Sequence, residues 1–202
     1  IFTMFPRAVV SARRIREILD TAPHIVDPAS PTPFDPALKG EVVFDKVSFR
    51  YPRAQEDVLH EVSFSAKAGS VTAFIGSTGS GKTTLINLIP RLYDVTQGSI
   101  RIEGVDIRNV AQKELRSKIG FVPHKGMLLS GTIHDNLIFG SRDADETVIE
   151  KAVSTAQAAN FIREKEGQSN FKLSQNATNL SGGQKQRLSI ARALVKQADI
   201  YI

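Results

Sequence analysis

The chain has 202 residues, of which 41% are hydrophobic and 23% are charged, with a formal net charge of +5. This composition supplies enough apolar side chains for a folded core and excludes wholesale disorder, while the charge identifies no partner. The absence of cysteine excludes disulfide scaffolds and thiolate metal sites, and the four histidines lack the spacing of a zinc site. The length favours one domain with some additional chain.

The N-terminal part of the chain predicts a helix followed by a linker. Residues 8–19 show helical periodicity, with Ile15, Ile18 and Leu19 on one face. Five of the nine prolines fall in the next stretch, residues 23–39. Because proline fixes φ and lacks an N–H donor, we expect this stretch to be extended and outside any sheet interior. We therefore place a domain boundary in it.

Two kinds of strand pattern follow the linker. Apolar and polar residues alternate over Val47–Tyr51 and again over Val62–Phe64, which indicates half-exposed, antiparallel strands. Residues 71–75, in contrast, form a nearly continuous apolar run, as in a strand that is covered on both faces, and residues 119–122 have the same character. Since residues 132–165 are mostly helical in pattern, we predict an α/β fold.

A glycine-rich turn lies between the first apolar run and a helix predicted over residues 82–89. It fits GxxxxGK[ST] at every fixed position. In such a turn backbone N–H groups point at phosphate oxygens, Lys82 contacts the β and γ phosphates, and the Thr83 hydroxyl binds Mg²⁺. The strand–turn–helix context favours nucleoside triphosphate binding over a chance match. The predicted phosphate-binding residues are Gly76, Ser77, Thr78, Gly79, Ser80, Gly81, Lys82, Thr83 and Thr84.

A second glycine pair stands at the start of another amphipathic helix. Residues 180–184 read LSGGQ, and Ser181 is a favourable N-cap residue. Because each glycine costs roughly 1 kcal/mol in a helix relative to alanine, two in a first turn require another reason. Close approach of an anion to exposed N–H groups supplies one. A loose loop before the helix is the alternative.

These two motifs, the Walker A turn at residues 76–83 and the signature at residues 180–184, resemble those of an ABC transporter nucleotide-binding domain. The resemblance covers residues 40–202. It implies a P-loop NTPase core with an antiparallel β subdomain and a helical signature subdomain at about residues 126–190, incomplete at the C-terminus. It also implies binding of ATP and Mg²⁺. Residues 1–22 resemble the segment that follows the last membrane helix of an exporter.

The family register assigns roles to further residues. Tyr51 falls where the family has an aromatic that stacks on adenine, although a core tyrosine is the simpler interpretation of the sequence alone. His124 stands at the Q-loop position, where the family has a glutamine near Mg²⁺ and the attacking water. His124 is therefore a second candidate metal residue beside Thr83. The residues expected to face the ATP of a partner domain are Ser181, Gly182, Gly183 and Gln184.

The resemblance further implies head-to-tail pairing with a second nucleotide-binding domain around two ATP molecules. Closure and reopening would drive a transmembrane domain of the same parent chain. We thus expect an exporter ATPase at the cytoplasmic face of a membrane, with no nucleic acid partner. His124 with an intact signature is also what one half of a heterodimeric exporter would show.

The Walker B carboxylates and the switch histidine of the family are expected beyond Ile202. No general base is therefore identifiable, and we expect this chain by itself to be soluble and to bind ATP with negligible hydrolysis. One alternative is a soluble ABC-type ATPase of DNA repair or chromosome maintenance, although such proteins usually separate the two motifs by long heptad segments. Another is a non-catalytic domain that binds ATP only to dimerise.

Overall fold

A computed structural model describes residues 4–202 of the chain, with side chains from residue 8 onward. Within this range the chain forms both helices and strands, and the predicted α/β class is confirmed. The helices are α1 (Met4–Leu19), α2 (Lys82–Leu88), α3 (Gln112–Ser117), α4 (Ile133–Leu137), α5 (Glu146–Thr155), α6 (Ala159–Arg163) and α7 (Gly182–Val195). The strands are β1 (Val42–Phe49), β2 (Leu59–Ala66), β3 (Gln97–Ile102), β4 (Val105–Asp106), β5 (Ile119–Gly120), β6 (Gly131–Thr132), β7 (Lys172–Leu173) and β8 (Ile200–Tyr201).

The N-terminal helix α1 confirms the helical pattern predicted for this part of the chain. Its predicted apolar face is on the surface, since Ile15, Ile18 and Leu19 are 59%, 75% and 78% exposed. Between residues 4 and 202, no helix combines the length and the apolar character needed to cross a bilayer.

The proline-rich stretch forms no strand, as predicted, but it lies against the domain that follows. We call residues 24–38 the strap. The N–H of Thr32 donates to the carbonyl of Asn109 at 2.8 Å. The ring of Phe34 is buried in the same hydrophobic core as the antiparallel sheet. The strap therefore packs against the domain that follows, within the stretch where the sequence predicts a boundary.

A four-stranded antiparallel sheet has the order β2-β1-β3-β4. At its centre Phe44 on β1 is paired with Phe64 on β2 and with Ile100 on β3, and the two phenylalanine rings stack at 4.5 Å. The predicted antiparallel strands are confirmed, but their alternation is imperfect. Ser48 is buried because its hydroxyl accepts the N–H of Glu61 at 3.0 Å, where the strand register shifts.

The prediction of a covered strand over residues 71–75 is wrong for the described chain. The segment forms no strand, and Val71 and Ile75 are 97% and 96% exposed. A strand needs neighbours that satisfy its N–H and C=O groups, and no sheet formed by residues 4–202 includes this segment. Phe74 nevertheless packs on the core, with its ring 5.1 Å from that of Phe64.

The second apolar run, residues 119–122, does form a strand. Its β5 pairs in parallel with β8, where Ile119 lies opposite Ile200. The ladder continues as the N–H of Val122 donates to the carbonyl of Ile202 at 2.7 Å. Ile119 is 3% exposed, which agrees with the buried strand that the pattern predicted.

The region from α4 to α7 forms a second core, and its predicted helical character is confirmed. Both α4 and α5 pack on α7, whose Leu188, Ala191 and Val195 are buried. The buried amide of Asn136 on α4 donates to the carbonyl of Leu129 and accepts its N–H, at 2.9 and 2.8 Å. These bonds fix the loop before α4, because a buried amide must be paired.

The turn between β3 and β4 places a carboxylate in the first core. Glu103 (φ 48°) and Gly104 (φ 80°) both have positive φ, as a two-residue type I′ turn requires. Glu103 is 1% exposed, accepts the N–H of Gly40 at 3.0 Å and pairs with Lys118 at 3.2 Å. Lys118 also pairs with Asp199, and this hydrogen bond is the main cause of its raised pKa. The network joins β3 to the starts of β5 and β8.

We expect Glu103→Ala to lower the free energy of unfolding by about 2–3 kcal/mol, because the Gly40 N–H and Lys118 both lose a buried partner. Glu103→Gln keeps an amide oxygen for Gly40 and is expected to cost less. Urea unfolding followed by circular dichroism measures both. The exposed Glu56→Ala is the control, expected within about 0.5 kcal/mol of the wild type. Equal losses in the two Glu103 variants would contradict the role of the Gly40 bond.

Candidate functional site

The glycine-rich turn of residues 76–83 runs directly into the first turn of α2. Gly79 and Gly81 both have φ of 85°, a left-handed conformation that strongly favours glycine. A Cβ on Gly76 would lie 2.7 Å from the hydroxyl oxygen of Ser80. The turn therefore needs these glycines for its own shape, and it presents backbone at the start of α2.

The ammonium group of Lys82 is folded back over this turn. Its Nζ donates to the carbonyls of Gly76 and Ser77, at 2.8 and 2.6 Å, and to the hydroxyl of Ser80 at 3.1 Å. A positive charge is thus held beside the start of α2, where unpaired N–H groups favour an anion. An anion that binds here must draw the ammonium away from the two carbonyls.

The two threonines after Lys82 have different surroundings. Thr83 is exposed and lies at the edge of a large cavity, so its hydroxyl can reach a cation there. Thr84 is buried, and its hydroxyl lies 2.9 Å from the phenol oxygen of Tyr51. Because that hydroxyl is engaged, Thr84 offers a phosphate its backbone N–H, which belongs to the first turn of α2.

Tyr51 belongs to an aromatic cluster at the end of β1. Its ring is edge-on to Phe49 and to Tyr93, with centroid distances of 4.9 and 5.2 Å. Tyr51 is half-buried, so part of the ring is accessible for stacking. Sequence reasoning missed Tyr93, because it follows α2 without any motif, and only its contact with the end of β1 reveals it.

A cavity of about 800 Å³ extends from the phosphate turn along residues 71–75 to β8. Lys82, Thr83 and His124 all line it, so the structure places His124 beside the turn of residues 76–83. Much of the remaining wall is apolar and includes Ile86 of α2. Val71, Thr72 and Phe74 form part of this wall.

The donor set in this cavity fits a hard cation only in part. The hydroxyl oxygen of Thr83 suits Mg²⁺, whereas the imidazole nitrogen of His124 suits softer metals. Within residues 4–202, no three side chains of the types His, Cys, Asp and Glu are grouped to hold a metal. Asp199 also lines the cavity. Burial raises its pKa, but bonds from Lys39 and Lys118 outweigh this effect and hold the pKa below its ordinary value.

The helix α7 begins with a reciprocal cap. The hydroxyl of Ser181 accepts the N–H of Gln184 at 3.3 Å, and the Gln184 amide oxygen accepts the N–H of Ser181 at 3.0 Å. A Cβ on Gly182 or Gly183 would meet nothing within 4 Å, and neither residue has positive φ. Nothing within the described chain therefore requires glycine at these positions. The pair leaves the backbone of the first turn open to close approach.

The turn before α7 is strained. Asn176 and Ala177 have φ of 56° and 49°, a conformation that costs about 1–2 kcal/mol for a residue with a Cβ. Contacts hold it, since Lys185 donates to the carbonyl of Asn176 at 2.9 Å and Ala177 is fully buried. The strained turn fixes where Ser181 begins the helix.

The loop that carries His124 also touches α7. A Cβ on Gly126 would come within 2.8 Å of the carbonyl of Lys185, so the loop lies directly on the helix backbone. The guanidinium of Arg192 donates to the carbonyl of Met127 at 2.9 Å. One short loop therefore connects the phosphate cavity with the signature helix.

Known proteins are similar to this chain in sequence. A family model described as ABC transporter matches residues 59–202. An uncharacterised ABC transporter ATP-binding protein of Mycobacterium tuberculosis is 41% identical over 203 residues, which cover 98% of this chain and 34% of that protein. An ATP-dependent lipid A-core flippase of Syntrophus aciditrophicus is 39% identical over 196 residues, covering 97% of this chain and 32% of the flippase.

A solved structure is also similar to this chain. A bacterial Atm1-family ABC exporter with ATP bound matches with a TM-score of 0.88 and 34% identity, covering 97% of this chain and 34% of the exporter. The chain spans about a third of the length of these relatives. The family model covers more than half of the chain, including both motifs. The chain therefore belongs to the ABC transporter family.

Proposed function

We propose that this chain is the ATP-binding domain of an exporter, in which ATP binding, head-to-tail pairing with a second such domain, and hydrolysis are coupled to transport. The observation that carries the proposal is the contrast between two glycine-lined helix starts. At α2 the glycines shape the turn itself, whereas at α7 no contact within the described chain requires them. A phosphate group that approaches from outside accounts for the second pair.

In this proposal the phosphates of ATP lie on the turn of residues 76–83. The N–H groups of the turn and the ammonium of Lys82 hold the negative charge, and Tyr51 stacks on the adenine. A charged γ-phosphate gains further donors when residues 181–184 of a second domain cover it. The free energy of ATP binding thereby favours the closed pair of domains. Loss of the γ-phosphate on hydrolysis lets the two domains separate.

Magnesium and the hydrolytic step are further parts of the proposal. Thr83 would hold Mg²⁺ through its hydroxyl. The cation would neutralise negative charge on the phosphates. Among the described residues, Asp199 is the carboxylate in the cavity wall, and its ion pairs with Lys39 and Lys118 make it unsuitable as a base. This chain by itself is therefore expected to bind ATP with negligible turnover, and the full-length protein to be an ATPase at the cytoplasmic face of a membrane.

The DNA-repair alternative is less well supported. ATPases of that class usually place long heptad segments between the two motifs. Between α2 and α7 the longest helix is α5, with ten residues. The relatives named as an exporter and a flippase support transport instead. A domain that binds ATP only to dimerise would use the same site, and turnover by the full-length protein separates it from an ATPase.

Lys82→Ala is expected to weaken ATP binding by about tenfold to a hundredfold, because a charge-assisted hydrogen bond to phosphate is lost. Isothermal titration calorimetry on the 202-residue chain measures this directly. The control is Lys151→Ala, an exposed lysine on α5, which is expected to bind ATP like the wild type. Equal affinity of the Lys82 variant and the control would refute the proposed phosphate site.

Gly183→Ala tests the second helix start. We expect it to leave stability unchanged or slightly higher, since alanine is favoured in a helix, and to leave ATP affinity unchanged. In the full-length protein it is expected to lower ATP turnover about tenfold or more, because the methyl group blocks the partner's phosphate.

The matched control is Gly140→Ala, since a Cβ there also meets nothing within 4 Å and its φ is not positive. Turnover of the control is expected to equal that of the wild type. Full turnover by the Gly183 variant would show that α7 does not contact nucleotide.

His124→Gln is expected to reduce the Mg²⁺ concentration that gives half-maximal ATP turnover, because an amide oxygen suits Mg²⁺ better than an imidazole nitrogen. Steady-state turnover of the full-length protein across a Mg²⁺ titration measures this. His60→Gln, at an exposed position on β2, is the control. An unchanged rate together with an unchanged Mg²⁺ dependence would remove His124 from the mechanism.

A further inference from the structure

The strap makes specific contacts with the elements behind the nucleotide site. Besides the bond from Thr32, the N–H of Asp35 donates to the carbonyl of Glu103 at 3.2 Å. The buried ring of Phe34 lies beneath the ammonium of Lys118, which is 5.7 Å from its centroid. These contacts tie an extended, proline-rich segment to the core along much of its length.

The first helix that the strap contacts is α3, to which it supplies a missing cap. The N-cap residue of α3 is Ala111, which has no side-chain acceptor. Instead, the carboxylate of Asp27 accepts the N–H of Gln112 at 2.9 Å and its side-chain amide at 3.0 Å. The first of these bonds is the largest cause of the lowered pKa of Asp27, followed by the second. A residue of the strap thus satisfies the N–H of the first residue of α3, one of the donors that a helix start leaves unpaired.

The strap also reaches the far end of α2. Arg91, whose side chain is 5% exposed, donates to the carbonyl of Val26 at 3.4 Å while it pairs with Asp94 at 2.7 Å. The guanidinium of Arg116 on α3 donates to the carbonyls of Pro90 and Arg91, both at 3.2 Å. Two adjacent strap residues, Val26 and Asp27, therefore contact the segment after α2 and the start of α3, which Arg116 joins to each other.

The opposite ends of both helices lead to the nucleotide site. The first residue of α2 is Lys82, and α3 is followed at once by β5 and then by the loop of His124. Lys82 and His124 line the same cavity. The strap contacts consequently lie at the ends of α2 and α3 that face away from the phosphate turn.

We propose that Asp27 is a positioning residue for the nucleotide site: by capping α3 it fixes β5 and the loop of His124, so that docking of the strap and binding of ATP favour each other. The inference rests on the proposed ATP binding. By thermodynamic linkage, if the docked strap favours ATP, then ATP must stabilise the docked strap by the same factor. Since only four residues separate α1 from the strap, a displacement of that helix is expected to affect the nucleotide site through Asp27.

The test uses the 202-residue chain, in which the strap, α3 and the phosphate turn are all present. Asp27→Ala is expected to weaken ATP binding about threefold to tenfold, the scale set by loss of a helix cap. Asp27→Asn keeps an acceptor oxygen and is expected to restore most of the affinity. Asp20→Ala is the matched control. Asp20 is exposed, and its carboxylate forms an ion pair at 3.2 Å with Arg16, near the end of α1.

Hydrogen exchange supplies the reciprocal readout. In the wild type, ATP with Mg²⁺ is expected to slow amide exchange in the strap and over residues 112–118, and Asp27→Ala is expected to abolish the effect on the strap. Affinity of Asp27→Ala equal to that of the control, or strap exchange in the wild type that ATP does not change, would overturn the inference. Absence of ATP binding by the wild type would overturn the proposed function as well, so the two failures are distinguishable. If Asp27→Ala does not fold, the ATP affinity of Asp27→Asn and the amide exchange of the wild-type strap test the inference.

Discussion

Unpaired backbone N–H groups at two helix starts are the constraint on which this domain depends. The first turn of any helix leaves four such donors without an intrahelical partner. At α2, two glycines of the preceding turn have left-handed φ, and Lys82 adds a positive charge over the same turn. At α7 a reciprocal cap satisfies only the N–H groups of Ser181 and Gln184. Both starts therefore keep donors whose strongest partner is an anion.

Holding such donors in place requires rigidity behind them, and buried charges supply it. Arg91 and Glu103 are nearly inaccessible, and each has a counter-ion and a backbone partner, as buried charges require. Arg91 bonds Asp94 and Val26 of the strap, and Glu103 bonds Gly40 and Lys118, which lies just before β5. The nucleotide site is thus supported by contacts between distant parts of the chain, and a change in one of them reaches the site through α2 or α3.

The sequence predicted what is local and missed what depends on distant partners. The phosphate turn and the start of α7 follow from a few adjacent residues, so their positions on helix starts could be predicted. Residues 71–75 have the composition of a covered strand, but a strand forms only beside a neighbour. The cap of α3 joins Asp27 to Gln112 across 85 positions, and no periodicity indicates it. The turn at Glu103 lacks the asparagine or aspartate that marks most type I′ hairpins.

The loop after β5 gives the two helix starts a mechanical connection within one chain. Gly126 lies on the backbone of Lys185 without room for a Cβ, and Arg192 holds the carbonyl of Met127. Only two positions separate Gly126 from His124, so the loop cannot shift at the phosphate cavity without moving along α7 or breaking these contacts. In the proposed pairing α7 faces the nucleotide of the second domain. Under that proposal, the loop contacts both the phosphate cavity and the helix that faces the second nucleotide.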